Sequence, residues 1–194
     1  MRYSIVFATN NPHKIGEVQH LLQDRFDLKS LEELGHIGDI PENQETLEGN
    51  ALEKARFIRE KYGMDCFADD TGLEIDALQG RPGVYSARYA GPGKSSEANV
   101  KKILAELEGI TNRSARFRTV IALLYKGKEY LFEGKVEGTI SHAPRGTEGF
   151  GYDPVFVPLG GQKTFAEMDL SEKNRISHRA EAASKLAEFL LREI

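Results

Sequence analysis

The chain has 194 residues, of which 40% are apolar and 29% charged, the composition of an ordinary globular protein with one large domain or two small lobes. Its net charge of −4 argues against coating of DNA or RNA as the main role, although a local basic patch could still hold a nucleotide. The single cysteine, Cys66, cannot form an internal disulfide and no run of about 18 apolar residues occurs, so we expect a cytoplasmic protein with no membrane segment and no nucleic-acid polymer as partner.

Apolar runs and helical periodicities alternate along the first half of the chain. A strand is predicted over 3–8, and Asn11-Pro12 then caps and opens a helix. A second strand, 26–31, leads through an acidic loop to a helix over 46–62 that ends at Gly63. The last elements predicted in this half are a strand over 66–68 and a glycine-rich functional loop over 72–93.

The second half of the chain carries one strong strand pair. A helix is predicted that Ser96 caps and that stops at Gly109, and the Lys126-Gly127-Lys128 link after it predicts a β-hairpin. Early βα units followed by a late hairpin predict a mixed-sheet α/β protein with a cleft between an early and a late lobe. No linker is apparent, so 1–194 is expected to be a single domain. The remaining predicted elements are strands 117–125 and 129–140, a glycine-dense loop 141–153 and a final helix 179–194.

Two adjacent acids, Asp69 and Asp70, follow an apolar strand just before Thr71-Gly72, where the chain is predicted to turn. Burying both acids costs hydration and mutual repulsion. At a strand tip they could hold a hard cation such as Mg²⁺ and leave one acid as a base. With Glu42 and Glu45 they form the candidate metal set, and Asp70 could take a proton from a metal-bound water. Solvated loop acids are the alternative, which fits Glu45 well.

The turn between the first strand and the first helix is a candidate phosphate site, because free backbone N–H groups and the helix dipole attract anions there. It matches neither a dinucleotide fingerprint nor a P-loop, and a plain helix cap remains an alternative. Asn50 and Lys54 share one helix face, and Lys54 could point at the same phosphates or be solvated. The residues of the turn are Thr9, Asn10, Asn11, Pro12, His13 and Lys14.

Two later segments are candidates for binding an aromatic base. Glycines in 149–154 would let a ligand approach the backbone, Phe150 could stack on a base, and Asp153 could accept from a base N–H. Tight-turn and helix-capping roles remain open for these segments. The donors that could read a purine carbonyl are Lys173, His178 and Arg179.

Taken together, these segments resemble the inosine triphosphate pyrophosphatase family, and most closely its bacterial dITP/XTP branch. The ordered set spans nearly the whole chain. The chain departs from the family pattern at Thr71, where many bacterial members have serine, and at Thr147-Glu148, where some members carry a tryptophan. The matching segments are 8–14 (ATNNPHK), 48–55 (EGNALEKA), 68–73 (ADDTGL), 83–91 (GVYSARYAG), 149–154 (GFGYDP) and 176–179 (ISHR).

The resemblance implies an elongated mixed sheet with flanking helices and two lobes around a central nucleotide-binding cleft. It implies a homodimer that hydrolyses dITP, ITP and XTP to the monophosphate and pyrophosphate, with Mg²⁺ as cofactor, and so keeps these nucleotides out of DNA and RNA. A base carbonyl at the purine six position would be favoured over the adenine amino group. How guanine is excluded is open. A pyrophosphatase for pyrimidine or methylated nucleotides and a non-catalytic nucleotide-binding module are the rival hypotheses.

The resemblance also implies a role for each matching residue. Glu42 and Asp70 would coordinate Mg²⁺, with Asp69 close by as a further candidate ligand, and Asp70 would be the proton acceptor. Thr71 would touch the substrate. The residues implied to hold the triphosphate are Thr9, Asn10, Asn11, Pro12, His13, Lys14 and Lys54. The residues implied to bind the base are Phe150, Gly151, Tyr152, Asp153, Lys173, His178 and Arg179.

Overall fold

The computed structural model describes residues 3–22 and 26–193, with the side chains of His13, Glu17 and His20 outside the description. The strands in this part of the chain are β1 (Tyr3–Phe7), β2 (Phe26–Lys29), β3 (Cys66–Ile75), β4 (Pro82–Gly83), β5 (Ser114–Tyr125), β6 (Lys128–Ile140) and β7 (Phe156–Pro158). The α-helices are α1 (Pro12–Leu22), α2 (Leu47–Tyr62), α3 (Ser96–Glu106), α4 (Leu170–Asn174) and α5 (His178–Glu193).

The strands form a mixed sheet, hydrogen-bonded in the order β2-β1-β3-β5-β6-β7, with β4 paired to β3. β1 is parallel to both β2 and β3. β4 is antiparallel to β3, and β7 is antiparallel to β6. The prediction of a mixed-sheet α/β protein with flanking helices is confirmed.

The chain divides into two compact units. Unit 1 comprises the described residues of 1–70, 119–134 and 179–194, and unit 2 comprises 71–118 and 135–178. Each unit is assembled from separated stretches of sequence. The predictions of a single domain over 1–194 and of a central cleft stay predictions.

The core of unit 1 forms where buried side chains of β1, β3 and β5 meet α5. Phe7 and Phe67 stack with their ring centroids 4.5 Å apart. The final helix presents Ala183, Leu186 and other small or branched residues inward, as its periodicity predicts. Burial of each large apolar side chain contributes about 1.5–3 kcal/mol, so this packing holds α1 and α5 against the sheet.

Helix α2 of unit 1 has the boundaries that its capping residues predict. The Thr46 side chain accepts from the Gly49 N–H, and Gly63 ends the helix with a φ of 68° while donating to the Arg59 carbonyl. Two polar residues, Asn50 and Lys54, are buried on the same face as its apolar residues. Since buried polar side chains need partners, these two are expected to hydrogen-bond to a neighbouring element.

The core of unit 2 packs α3 and the later strands against the second half of β3. Phe117 and Phe156 lie with ring centroids 4.7 Å apart. Ser95, rather than Ser96, caps α3, because the Ser95 side chain accepts from the Ala98 N–H.

The main correction concerns β3, which continues through Thr71-Gly72 to Ile75 instead of turning. Leu73 and Ile75 are buried and Glu74 between them is not, which is the period of a strand with one covered face. The predicted loop 72–93 therefore contains the end of β3, β4 and two short 3₁₀ helices. Asp69 and Asp70 lie within the strand and not at its tip.

The hairpin is confirmed, with strands somewhat longer than predicted and a turn of two residues. Lys126 and Gly127 both have positive φ, 48° and 77°, as a type I′ turn requires. β7 and α4 were not predicted, since three and five residues carry too little periodicity to be recognised.

Candidate active site

Asp69 is a deeply buried member of the predicted site residues in unit 1. Its Oδ1 accepts from the Lys14 Nζ at 2.8 Å and its Oδ2 faces the Arg179 Nε at 3.5 Å. Only 2% of the Asp69 side chain is exposed. Burial by itself raises the pKa of this carboxyl, but the charges of Lys14, Arg179 and Lys54 outweigh burial and hold the pKa well below its usual range.

Asp70, the next residue, is held by the buried polar face of α2. Its Oδ1 accepts from the Lys54 Nζ at 3.2 Å and its Oδ2 from the Asn50 Nδ2 at 3.1 Å. Burial raises the pKa of the Asp70 carboxyl, against the opposing charge of Lys54 and the hydrogen bond from Asn50. A carboxylate of raised basicity in a fixed orientation can accept a proton from a bound water.

Lys54 also binds Glu42, whose Oε1 lies 2.8 Å from the same Nζ. One ammonium thus bridges Glu42 and Asp70, and these carboxylates raise the pKa of Lys54 although burial opposes them. Two oxygens of different carboxylates therefore converge on one positive charge. Among the side chains that the structure describes, which leave out those of His13, Glu17 and His20, no group of three acidic, histidine or cysteine residues is close enough to hold a metal.

The turn that precedes α1 is ordered by its own side chains. The Thr9 Oγ1 accepts from the Asn11 N–H at 3.1 Å, and the Asn11 Oδ1 accepts from the Lys14 N–H at 3.4 Å. Asn10 and Pro12 are exposed. The prediction for the His13 side chain lies outside the described residues. The ordered turn thus positions Lys14, its positively charged residue, to bind Asp69.

The three basic residues predicted to read the base, Lys173, His178 and Arg179, do not all belong to the same unit. Arg179, predicted with Lys173 and His178 as a base-reading donor, lies in unit 1 with Lys14, on opposite oxygens of Asp69, and its role in binding the base stays a prediction. Lys173 and His178 belong to unit 2. Consecutive residues at the start of a helix point in different directions, and the sequence order of His178 and Arg179 does not reveal this.

A second cluster of predicted residues lies in unit 2 around Asp153. The Asp153 Oδ2 accepts from the Phe150 N–H at 2.8 Å and from the Lys173 Nζ at 3.0 Å. The Lys173 Nζ also lies 5.0 Å from the centroid of the Phe150 ring. Asp153 and Lys173 are both buried, so the cluster holds a donor and an acceptor side by side behind an aromatic ring.

The glycines of this loop have different functions. Gly149 has a φ of 76°, and a Cβ there would come within 2.1 Å of the Asp153 Oδ2. Gly151 has a φ of 64° with open space around it. The loop conformation therefore needs both glycines, but only Gly149 is required for the close approach of Asp153 to the backbone.

Tyr152 is anchored by a segment that the sequence did not connect with this loop. Its hydroxyl donates to the Ser86 carbonyl at 2.7 Å, and burial raises the pKa of that hydroxyl. The Ser86 Oγ in turn accepts from the Leu73 N–H at 2.8 Å, and the Asn99 side chain donates to the Ala87 carbonyl at 3.1 Å. Residues 84–93 thus support the aromatic loop within unit 2.

The remaining predicted residues of unit 2 are His178 and Thr71. The His178 ring stacks on Phe117, with centroids 4.6 Å apart and an interplanar angle of 11°. Thr71 is partly exposed and follows Asp70 directly in β3. Asn50 was noted in the sequence only as a neighbour of Lys54, and the spacing of four residues was the signal that could have placed it on Asp70.

None of the helices in the described ranges is long and apolar enough to cross a membrane.

Comparison with known proteins gives matches over almost the whole chain. The model of the Ham1 family matches residues 5–189. A Porphyromonas gingivalis protein named dITP/XTP pyrophosphatase is 53% identical over 188 residues, which cover 96% of this chain and 97% of that protein. A Bacillus subtilis protein of the same name is 48% identical over 189 residues, covering 95% and 96%.

Solved structures show the same fold. The Staphylococcus aureus Ham1 protein has a TM-score of 0.90 at 39% identity and covers 98% of this chain and 100% of its own. A HAM1 protein from Coxiella burnetii has a TM-score of 0.91 at 40% identity, with coverages of 98% and 99%.

Proposed function

Since the chain belongs to the Ham1 family, we propose that it is a nucleoside triphosphate pyrophosphatase acting on the non-standard purine nucleotides dITP, ITP and XTP. Its products would be the nucleoside monophosphate and pyrophosphate. The observation that carries the proposal is the arrangement of Asp70, which is oriented by Lys54 and Asn50 at 3.2 and 3.1 Å and lies one residue from the Lys14–Asp69 pair. A proton acceptor next to cations is what hydrolysis of a polyphosphate requires.

The residues present fit a magnesium ion. Mg²⁺ takes hard oxygen ligands, and it commonly uses one or two carboxylates together with water and substrate phosphates. Glu42 and Asp70 supply two such oxygens that already converge on one cation, the Lys54 ammonium. We assign the metal to these two carboxylates. When bound, the ion would neutralise phosphate charge and lower the pKa of a coordinated water.

In this proposal the hydrolysis takes place at the α-phosphorus. Asp70 accepts the proton of the attacking water as the new oxygen–phosphorus bond forms. The bond between the α-phosphorus and the bridging oxygen breaks, and pyrophosphate leaves. Lys14, Lys54 and Arg179 balance the charge on the phosphates, and the turn over 9–13 offers backbone N–H groups and Thr71 a hydroxyl.

The base would be recognised by the cluster in unit 2. Lys173 presents a donor 3.0 Å from the acceptor Asp153, and Phe150 offers a ring for stacking. Hypoxanthine and xanthine carry an acceptor carbonyl at the six position next to an N–H donor, which complements this pair. Adenine carries the reverse pattern, so its binding would leave both buried charges badly paired.

We assign the remaining residues of the aromatic loop to holding this cluster in place. Gly151 and Tyr152 shape the loop, and His178 packs behind it on Phe117. Removal of dITP and XTP from the nucleotide pool would prevent their incorporation into DNA and RNA. We further propose that the protein acts in the cytoplasm as a homodimer.

The test is turnover of dITP, XTP, dGTP and ATP with Mg²⁺, with pyrophosphate and orthophosphate measured separately. Wild type should release pyrophosphate from dITP and XTP far faster than from ATP, and Asp70→Asn should lose about a hundredfold or more in kcat. Asp39→Asn, at an exposed position of the same unit, is the matched control and should behave as wild type.

Two outcomes would overturn the proposal. Release of orthophosphate alone, or full activity in Asp70→Asn, would contradict the mechanism. Binding of dITP in a calorimeter without any product would instead establish the rival hypothesis of a non-catalytic nucleotide-binding module.

A further inference from the structure

Asp69 connects two cations that lie far from it in sequence. Lys14 comes from the first turn of α1, 55 residues before Asp69, and Arg179 comes from the first turn of α5, 110 residues after it. Arg179 and Asp69 are each only 2% exposed. Three elements of unit 1 are thus joined at one carboxylate.

We propose that Asp69 is a positioning residue, which fixes the Lys14 ammonium and the Arg179 guanidinium for the triphosphate, and that it is not a metal ligand. This inference rests on the proposed function, because it assigns both cations to the phosphates. It gives Asp69 and Asp70 separate tasks.

The geometry around Asp69 argues against direct metal binding. One carboxylate oxygen lies 2.8 Å from the Lys14 Nζ and the other 3.5 Å from the Arg179 Nε, so each oxygen already faces a cation. Successive side chains of a strand point to opposite faces, so Asp69 and Asp70 leave β3 in opposite directions. Lys54 hydrogen-bonds to Glu42 and Asp70, and its charge also acts on Asp69. A metal at Asp69 would have to displace a buried ion pair.

The same geometry explains why positioning is needed. A lysine side chain has a long flexible stem, and a phosphate contact made by it is effective only if the ammonium is already in place. Asp69 holds the Lys14 ammonium at 2.8 Å, and the Asp69 carboxylate itself is fixed by its burial and by Arg179 of α5. Asp69 also offsets one of the two positive charges that would otherwise repel each other.

The test combines Asp69→Asn with Lys14→Met. If Asp69 acts through Lys14, Asp69→Asn should lower kcat for dITP about tenfold to a hundredfold, and this factor should shrink at least about fivefold in the Lys14→Met background. The Mg²⁺ concentration for half-maximal rate should stay within about twofold of wild type, since no ligand is lost.

A matched control separates positioning from folding. Asp65 is also an ion-paired acid of unit 1, with its Oδ1 2.5 Å from the Arg59 Nη1, and it lies outside the candidate site. Asp65→Asn should lower the thermal stability and leave kcat unchanged. Added to Lys14→Met, it should leave the kcat of that variant unchanged as well.

Three results would overturn the inference. The first is an unchanged kcat in Asp69→Asn. The second is a rise of more than about tenfold in the Mg²⁺ concentration at which Asp69→Asn reaches half its maximal rate. The third is a double variant in which the losses of kcat from Asp69→Asn and Lys14→Met simply multiply. If the double variant does not fold, the kcat of Asp69→Asn and the Mg²⁺ dependence of its rate decide whether the inference holds. Absence of pyrophosphate release by wild type is a different result, which contradicts the proposed function itself.

Discussion

Asp69 and Asp70 are consecutive residues of β3, yet each carboxylate has its own cation, Lys14 at 2.8 Å for Asp69 and Lys54 at 3.2 Å for Asp70. The pleat of the strand sends the two side chains to opposite faces, where α1 and α2 supply these lysines. Two adjacent, largely enclosed acids are tolerated because each has a lysine of its own within hydrogen-bonding distance. Their pKa values move in opposite directions, lowered for Asp69 and raised for Asp70.

The proposed metal site predicts a difference between two glutamates three positions apart. Glu42→Gln should raise the half-saturating Mg²⁺ concentration at least about tenfold, because a charged ligand oxygen beside Asp70 is lost. Glu45→Gln, at an exposed position of the same loop, is the control and should leave this concentration unchanged. Equal Mg²⁺ dependence in the two variants would remove Glu42 from the site. The measurement is the initial rate of dITP hydrolysis over a Mg²⁺ titration.

Recognition of the base can be tested with two lysines of unit 2. Lys173→Met removes the donor that pairs with buried Asp153, so kcat/KM for dITP should fall at least about tenfold. The ratio of kcat/KM for dITP to kcat/KM for ATP should fall as well. The free energy of unfolding should also fall by about 3 kcal/mol, because Asp153 loses its counter-charge. Lys163→Met, whose side chain is 57% exposed, should change neither quantity. Retained selectivity in Lys173→Met would place base recognition elsewhere.

The glycines of the aromatic loop make a matched pair for stability. Both have positive φ, so Gly151→Ala should cost about 1 kcal/mol from backbone strain alone. Gly149→Ala should cost more, because its Cβ would come within 2.1 Å of the Asp153 Oδ2 and would displace that side chain from Lys173. Chemical denaturation of both variants measures the difference. Equal costs would mean that the Asp153 side chain moves freely, contrary to its role as a fixed acceptor.

A tyrosine in unit 2 gives a pH dependence of stability. Burial and a hydrogen bond to Glu106 raise the pKa of Tyr89 from 10.0 to about 12. The raised pKa means that this hydrogen bond stabilises fully below pH 10.0 and that its contribution is lost as the pH rises towards about 12. The free energy of unfolding of the wild type should therefore exceed that of Tyr89→Phe by about 1 kcal/mol at pH 8, and this difference should shrink at pH 11. A constant difference from urea unfolding at the two pH values would contradict this.

The elements that the sequence predicted well are those with their own end signals. Thr46 and Gly63 cap α2, and Lys126-Gly127 specifies a two-residue turn, so their boundaries follow from local chemistry. The sequence predicted too short a β3, because Thr71-Gly72 has the composition of a turn. The alternation of Leu73, Glu74 and Ile75 shows that pairing with neighbouring strands overrides that local preference.

The chemical types of the site residues could be read from the sequence, but their pairing could not. Lys54 and Asn50 share a helix face by spacing, which predicts a common partner without identifying it as Asp70. The contact of Arg179 with Asp69, 110 residues earlier in the chain, was likewise not predicted. Such pairings join residues far apart in the chain, and no local pattern encodes them.

The position of water attack is the most direct measurement of the central claim. Wild-type protein would be incubated with dITP and Mg²⁺ in H₂¹⁸O, and the products analysed by mass spectrometry. Attack at the α-phosphorus predicts one heavy oxygen in the deoxyinosine monophosphate and none in the pyrophosphate. Label in the pyrophosphate, or deoxyinosine diphosphate with labelled orthophosphate, would contradict the account.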